Sequence, residues 1–161
     1  MGFGINFGEL DMRKIREGLA GDFDGIRGVV AAGLRGCVVS DEEEFEFLYG
    51  DVCGILDWWD GNRERAFLLV CEERGVILGV ALVKEFWNFA ALFVEPGRHG
   101  AGIGRALVER VIAGCRGRSP KGCLRLNSSN HAAGFYERMG FVRNGEARDL
   151  PGGCVPFRFE L

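Results

Sequence analysis

The chain has 161 residues, 47% of them hydrophobic and 27% charged, and a formal net charge of −3, a composition that predicts one globular domain and excludes a disordered chain. Because basic and acidic residues are interspersed, we expect no nucleic-acid partner. The N-terminus lacks the pattern of a secretion signal and no apolar run approaches the roughly 20 residues of a membrane span, so we expect a cytoplasmic protein without a membrane partner.

The first half of the chain predicts a strand, two helices and a three-stranded meander. Residues 1–11 are expected to form a loose extension, followed by an edge strand over 12–18. Apolar residues at three- and four-residue steps predict a helix that Asp22 or Asp24 opens. A second helix over 40–61 is expected to begin at Ser40, with acidic residues in its first turn, where the helix dipole favours negative charge. Residues 66–73, 76–87 and 88–96 then predict antiparallel strands.

The second half predicts a helix, a strand, a shorter helix and two final strands. The first helix starts at Gly102 and ends near 114–117; a strand over 122–129 and a helix over 130–140 follow. The last strands, 141–150 and 154–161, are joined by the turn 151–153. We therefore predict a single α/β (α+β) domain over 1–161, with a mixed, mostly antiparallel sheet of about six or seven strands flanked by about four helices.

Three alternating glycines, Gly100, Gly102 and Gly104, precede the third predicted helix. Backbone N–H groups in the first turn of a helix have no internal partner and bind anions, and glycine lets a phosphate approach them closely. The dinucleotide pattern G-x-G-x-x-G fails here, because its last position falls on Arg105 or Leu107, and a P-loop would need a lysine. The segment therefore predicts a phosphate-binding loop of another kind.

The pattern that fits is P-x-x-[RQ]-x-x-G-x-G, with Pro96, Gly102 and Gly104 in place and His99 where Arg or Gln is usual. It resembles motif A of the GCN5-related N-acetyltransferases, or GNAT family, which binds the pyrophosphate of acetyl-CoA. Downstream, NSSNHAAGFYERMGF resembles the family segment N-x-x-A-x-x-F-Y-E-x-x-G-F. The matching positions are Ala132, Phe135, Tyr136, Glu137, Gly140 and Phe141. Ser129 stands where the family has asparagine.

The resemblance implies an acyltransferase that moves an acetyl group from acetyl-CoA to a primary amine of a small molecule or a peptide, by direct attack in a ternary complex. It also implies that the fourth and fifth strands splay apart to admit the cosubstrate, and it allows a homodimer. The cofactor-binding residues that it implies are Leu92, Phe93, Val94, His99, Gly100, Ala101, Gly102, Ile103, Gly104, Arg105, Ser129, Asn130 and Tyr136.

The resemblance assigns Tyr136 as the general acid, since a phenol with a pKa near 10 can protonate a leaving thiolate. Glu95, at the end of the fourth strand, is the expected general base. Glu85, Asp57 and water stay open as alternatives, because Leu124 stands where some family members have a glutamate. A different class of function also stays open: an acyl-CoA-binding sensor or interaction module without turnover.

The six cysteines include no C-x-x-C pair and the chain has only two histidines, so we expect reduced, mostly buried thiols and no metal. His131 is expected to be a capping or exposed residue. Two aromatic pairs, Trp58-Trp59 and Phe86-Trp87, either line an acceptor pocket or form core and rim.

Overall fold

The computed structural model describes residues 12–161; the predicted loose extension over 1–11 lies outside these residues. The predicted order of strands and helices is confirmed. The elements are β1 Arg13–Glu17, α1 Phe23–Gly33, α2 Glu42–Asp60, β2 Ala66–Glu73, β3 Val76–Lys84, β4 Asn88–Val94, α3 Ile103–Cys115, β5 Cys123–Ser128, α4 Ala133–Arg138, β6 Val142–Arg143 and β7 Val155–Glu160.

The seven strands form one sheet in the order β1-β2-β3-β4-β5-β7-β6. Five of the six neighbouring pairs are antiparallel, and β4 with β5 is the parallel pair. A mixed, mostly antiparallel sheet with four α-helices is the predicted fold class, which is therefore confirmed.

The helices cover both faces of this sheet, because successive side chains of a strand point to opposite faces. On β2, Leu69 and Cys71 belong to the core that packs against α3 and α4. Leu68 and Val70, which alternate with them, belong to the core under α1 and α2. None of the helices described within residues 12–161 is both long and apolar enough to cross a membrane.

The parallel pair β4 and β5 is joined at one end only. Asn88 and Arg125 are its single registered residue pair, and the Arg125 N–H donates to the Trp87 carbonyl at 2.8 Å. Opposite β3, Ala90 is skipped in the register and forms a β-bulge, which bends a strand locally. Beyond Asn88 the two strands diverge, so a gap opens through the middle of the sheet, as the resemblance implies.

Two predicted boundaries are wrong in ways that have a local cause. Asp41, not Ser40, caps α2: its Oδ1 accepts the Glu44 N–H at 2.9 Å, while Ser40 N and Oγ both donate to the Glu44 carboxylate. Asp41 has the extended backbone of an N-cap (φ −147°, ψ 174°), whereas the Ser40 hydroxyl donates to Glu44 and caps no backbone N–H. After α1, residues Leu34–Val38 form a π-helical turn that the apolar spacing did not predict.

The strand predicted over 141–150 is mostly absent from the described chain. Only Val142–Arg143 pairs with β7, and an isolated bridge joins Arg148 to Cys154. Residues 142–150 are all exposed, so they have no apolar face to hold against the sheet, and Gly145 at φ 156° interrupts the extended run. The segment instead crosses the end of the gap as a loop.

Candidate active site

A cleft of about 1090 Å³ occupies the gap between β4 and β5. Its walls come from both faces of the sheet: α2 and the turn after α1 on one, and the start of α3 with α4 on the other. Ligand sites in proteins commonly have this concave, mostly apolar form with a few convergent polar groups. The gap therefore holds one cleft with walls from both faces of the sheet.

The segment 97–104, called the glycine loop below, ends in a cradle of backbone N–H groups. Gly100 and Gly102 have φ of 81° and 83°, and a Cβ added at either residue would meet nothing within 4 Å. Their conformation thus requires glycine, and the space beside them is open. The first helical bond of α3 runs from Ala106 N to the Gly102 carbonyl at 3.0 Å. The N–H groups of residues 103–105 therefore donate to no acceptor among residues 12–161 and are free for an anion.

Most predicted residues of this loop line the cleft, but the third glycine has a second use. A Cβ on Gly104 would lie 3.4 Å from the Phe135 ring and 3.6 Å from Val94, so this glycine allows α3 to pack closely. The predicted residues here that line the cleft are His99, Gly100, Gly102, Ile103, Gly104 and Arg105, and Arg98 lines it as well. Ala101 does not line it; its carbonyl accepts a hydrogen bond from Arg13 Nη1 at 2.8 Å.

The predicted strand positions Leu92, Phe93 and Val94 all line the cleft. Since β5 has already diverged, the edge of β4 that faces the gap is not paired with a neighbouring strand there. An unpaired strand edge offers backbone donors and acceptors to an extended ligand. One acceptor on this segment is used: the Val94 carbonyl accepts from His99 Nε2 at 3.1 Å.

The two polar residues predicted after β5 have different surroundings. Ser129 lines the cleft, and its Oγ accepts the Ala132 N–H at 3.2 Å, which leaves the hydroxyl proton free to donate. Asn130 is not a lining residue; its N–H donates to the Gly152 carbonyl at 3.0 Å, and its amide packs against Gly153. The structure thus brings Ser129 to the cleft and places Asn130 in the loop packing.

Tyr136 is 7% exposed and lines the cleft. Its ring packs against aromatic rings on three sides, with centroids at 5.2 Å from Phe135, 5.6 Å from Phe141 and 6.0 Å from Phe157. Burial raises the pKa of the phenol above its ordinary value. The Tyr136 hydroxyl bonds to no described group. Since every fully buried polar side-chain atom within residues 12–161 has a partner, this hydroxyl is not fully buried. The hydroxyl is therefore protonated and open to the cleft.

The predicted base Glu95 lies beside the cleft and is not one of its lining residues. Its backbone is fixed, since its N–H donates to Leu78 O and its carbonyl accepts from Arg98 N, both at 2.9 Å. The alternative Glu85 is held in an ion pair with Arg65, and Asp57 also lies outside the lining. Asp51 on α2 is the single carboxylate among the described residues that line the cleft.

The wall that α2 contributes, called the α2 wall below, was missed by the sequence analysis. Its residues are Phe47, Leu48, Asp51, Val52 and Ile55. Their spacing of one, three and four is a helical stripe, so an aspartate interrupting an otherwise apolar stripe was the signal that could have identified it.

The predicted aromatic pairs form core and rim, which was one of the two alternatives. Trp59 is buried and meets Phe23 edge-on at 5.8 Å, while Lys84 Nζ sits 4.5 Å from the Trp58 ring. The Trp87 ring is covered by Lys121 at 3.3 Å. None of these rings lines the cleft.

Positive charge surrounds the glycine-loop side of the cleft. Arg98 pairs with Glu73 at 2.8 Å and Arg105 with Glu109 at 3.0 Å. Arg138 lines the cleft, lies near Arg105 and forms no ion pair with a carboxylate of residues 12–161. Arg148 also lines the cleft, and its Nη2 donates to Cys154 Sγ at 3.5 Å. A guanidinium group such as that of Arg138 beside unpaired N–H groups suits a phosphorylated ligand.

None of the six cysteines, all of which lie within the described residues, forms a disulfide, and four of them are buried, as expected. Burial raises the pKa of Cys115 to about 11, so this thiol stays protonated and inert. Cys37 is different, because it lines the cleft together with both histidines of the chain, with one ligand atom from each residue within 4.8 Å of the others. Sequence spacings of 62 and 32 residues hid this grouping.

Comparison with known proteins agrees with the geometry. The family model described as an acetyltransferase (GNAT) domain matches residues 59–155. The chain belongs to the GNAT acetyltransferase family. GNAT proteins are acyltransferase enzymes, and the region matched includes β4, the glycine loop, β5 and Tyr136. The resemblance of the two motifs is thereby confirmed.

Two curated GNAT relatives differ in the acceptor that their names give. Blasticidin-S acetyltransferase of Streptomyces morookaense is 33% identical over 91 residues, which cover 53% of this chain and 65% of the relative. The peptidyl-lysine N-acetyltransferase YjaB of Escherichia coli strain K12 is 36% identical over 58 residues, covering 35% and 37%. The chain thus aligns with less than two thirds of the length of either relative.

Solved GNAT structures share the whole fold. A GCN5-related N-acetyltransferase from Rhodopseudomonas palustris superposes with a TM-score of 0.75 at 20% identity, covering 94% of this chain and 97% of the other. The PaiA N-acetyltransferase of Thermoplasma acidophilum, solved in complex with coenzyme A, superposes with a TM-score of 0.72 at 16% identity, covering 92% and 99%.

Proposed function

We propose that this protein is an N-acetyltransferase that moves an acetyl group from acetyl-CoA to a primary amine of a small molecule or a peptide. The observation that carries the proposal is the gap between β4 and β5, with free backbone N–H groups at one face and a carboxylate-bearing wall at the other. Two reactants can enter such a gap from opposite faces and meet in it, which is the arrangement that direct transfer requires.

The described residues fit coenzyme A. The open cradle at Gly100 and Gly102 suits the pyrophosphate, with Arg138 as a nearby free cation. The unpaired edge of β4 at residues 92–94 suits the amides of the pantetheine arm, and Ser129 adds a free hydroxyl donor. His99, Ala101, Ile103, Gly104, Arg105 and Asn130 complete the proposed cofactor-binding set; Ala101 and Asn130 would act by shaping the loops, since neither lines the cleft.

The bound cosubstrate supplies an acetyl thioester. Residues of the chain position this thioester and protonate the departing sulfur. A backbone N–H of β4 polarises the thioester carbonyl in this proposal. The neutral amine attacks that carbonyl, the new C–N bond replaces the C–S bond, and Tyr136 gives its proton to the departing sulfur. The Tyr136 phenol keeps its proton at neutral pH, as a general acid must, and burial, which raises its pKa, makes it a weaker proton donor than a solvated tyrosine.

Two carboxylates are candidates for taking the proton from the amine. Glu95, the residue that the sequence predicts, follows directly on β4 but does not line the cleft. Asp51 lines the cleft on the α2 wall and has no ion-pair partner among residues 12–161. We propose that Asp51 attracts the cationic amine and that Glu95 accepts the proton through water, two roles that separate substitutions can distinguish.

The acceptor class follows from the α2 wall and from the relatives. Apolar side chains around one carboxylate suit an amine on a partly apolar body. The related proteins are named for blasticidin-S and for peptidyl-lysine, and the lysine side chain is an amine on an apolar stem. A single domain over 1–161, a cytoplasmic location and a homodimer remain predictions.

The test combines ligand binding with turnover. Thermal unfolding is measured with acetyl-CoA, free CoA and NAD, because a ligand that binds only the folded state stabilises it. Thiol release is then followed with a panel of amines and lysine peptides. Stabilisation by both CoA species but not by NAD, with amine-dependent thiol release, supports the proposal. Binding without release by any amine would favour the sensor module, and no stabilisation at saturating CoA would overturn both.

A further inference from the structure

Cys37, His99 and His131 form a compact cluster at the cleft. Each offers one ligand atom, and these atoms all lie within 4.8 Å of one another; Cys37 Sγ is 4.0 Å from His99 Nδ1. They come from three separate segments: the turn after α1, the glycine loop and the loop between β5 and α4. A tetrahedral zinc ion with bonds of 2.0 to 2.3 Å would place its ligand atoms about 3.5 Å apart. The separations in the cluster, at most 4.8 Å, therefore exceed that spacing by no more than about 1.3 Å.

The tautomer of His99 prepares it as a ligand. Its Nε2 lies 3.1 Å from the Val94 carbonyl, an oxygen that can only accept, so Nε2 carries the proton. In the neutral ring Nδ1 then carries a lone pair that accepts from the Cys37 thiol at 4.0 Å, and loss of the thiol proton would leave both atoms as ligands. Histidines that bind metals typically donate their second N–H to a carbonyl or carboxylate in this way. This orientation is an observation independent of the grouping itself.

The backbone that carries Cys37 is held against the glycine loop. A Cβ on Gly36 would lie 3.2 Å from Pro96 Cγ, and one on Gly33 would lie 3.1 Å from the Phe93 ring. The end of α1 and the turn after it therefore pack directly against the end of β4 and against Pro96, which precedes the glycine loop, beside the cluster. His99 and His131 are exposed and Cys37 is half-buried, so their side chains have room to close on an ion. Both histidines of the 161-residue chain meet one cysteine here.

We propose that Cys37, His99 and His131 bind one divalent metal ion of the zinc type, through a thiolate and two imidazoles. Thiolate and imidazole are the ligands that zinc and cobalt(II) prefer, whereas magnesium and calcium prefer oxygen. Binding replaces the thiol proton of Cys37, which leaves to solvent. Three protein ligands leave a fourth position, which opens on the cleft. This proposal goes against the expectation from sequence that no metal binds.

The test uses the full chain, reduced and stripped of metal, with no acetyl-CoA present, so that its outcome is independent of the proposed reaction. Zinc affinity and stoichiometry are measured by competition with a chromophoric chelator, and cobalt(II) is added to record the thiolate-to-cobalt charge-transfer band. The variants are Cys37→Ser and His131→Ala. Cys53→Ser is the matched control, since Cys53 is also partly buried but lies outside the cluster.

We expect one zinc per chain, loss of the charge-transfer band in Cys37→Ser, and at least about tenfold weaker zinc binding in His131→Ala, with Cys53→Ser like the wild type. Circular dichroism establishes that each variant is folded. No stoichiometric uptake by the wild type would overturn the proposal. It would also be overturned if folded Cys37→Ser kept the charge-transfer band, because the thiolate would then come from another cysteine.

Discussion

The glycine loop and the α2 wall line the same cleft, but the loop presents backbone groups and the wall presents side chains. The glycine loop offers backbone N–H groups, and its two open glycines, Gly100 and Gly102, have positive φ. The α2 wall offers side chains on a regular helix, with Asp51 as its one charge. A phosphate is recognised by backbone geometry that few sequences can adopt, whereas an acceptor wall can be made from many side chains. In the proposed function, the loop therefore holds the cosubstrate and the wall selects the acceptor amine.

The largest expected effect is on kcat and comes from Tyr136, the proposed acid between the glycine loop and the α2 wall. Tyr136→Phe removes the proposed acid but keeps the ring packing, so we expect kcat to fall by about 10²- to 10⁴-fold with little change in CoA affinity. Because the pKa of the phenol is raised, Tyr136 should stay protonated, and the wild-type pH–kcat profile should show no loss from it below about pH 10.

The matched control for this change is Tyr49→Phe. Tyr49 is the other tyrosine of the chain; it stacks on Phe45 at 5.3 Å and does not line the cleft. Equal kcat values for Tyr136→Phe and the wild type would remove Tyr136 from the chemistry and leave it a packing residue.

A change in the glycine loop should break cosubstrate binding alone. Gly102→Val places a β-branched residue at φ 83° and a side chain beside the cradle, so we expect CoA affinity to fall at least about tenfold. Isothermal titration with CoA measures this. Gly28→Ala, at a helical glycine of α1 with nothing within 4 Å of the added Cβ, should bind CoA as the wild type does. Unchanged affinity of folded Gly102→Val would show that phosphate binds elsewhere.

A change in the α2 wall should affect the acceptor alone. Asp51→Asn removes the one carboxylate that lines the cleft, and we expect KM for a cationic amine to rise about tenfold while KM for acetyl-CoA stays constant. Steady-state kinetics with both substrates varied separates the two constants.

Two further variants make this comparison sharper. Asp57→Asn changes a carboxylate on the same helix but outside the cleft lining, and should have no effect. Glu95→Gln should lower kcat at low pH, where little neutral amine is present, without a change in acceptor KM. A tenfold rise of acceptor KM in Glu95→Gln and none in Asp51→Asn would reverse the two assignments.

The smallest expected effect comes from a network that touches neither side of the cleft. Arg16 binds Asp22 at 2.8 Å and Glu72 at 3.1 Å, and its guanidinium lowers the pKa of both carboxyls. A lowered folded-state pKa gives stability that is present above the ordinary value near 4 and is lost as pH falls through the folded value.

Arg16→Gln should therefore lower the melting temperature by only a few degrees at pH 7, and the difference from the wild type should shrink below about pH 4. Thermal unfolding between pH 2.5 and 7 measures it. CoA affinity should be unaffected. A difference that stayed constant over this range would mean that the packing of the arginine stem, and not its charge, stabilises β1.

Sequence reasoning predicted the fold and the glycine loop well, because both rest on local patterns. Apolar spacing and capping residues located the four α-helices and the central strands, though not the π-helical turn Leu34–Val38, and the spacing of Pro96, Gly102 and Gly104 led to the family. It failed where tertiary packing decides: Asp51 reaches the cleft only because α2 lies across the gap. The metal-type cluster was invisible because Cys37, His99 and His131 are brought together by three separate loops.

The single registered pair between β4 and β5 has a mechanical consequence. The sheet consists of two groups of strands, β1 to β4 and β5 to β7, which are joined by the pair Asn88 and Arg125. Along the rest of β4 and β5, as described, no registered residue pair joins the two groups of strands. A ligand whose amides pair with the unpaired edge of β4 would give that edge the partner it lacks. Filling the cleft should then slow amide hydrogen exchange on β4, and on β5 only where the ligand also covers that strand.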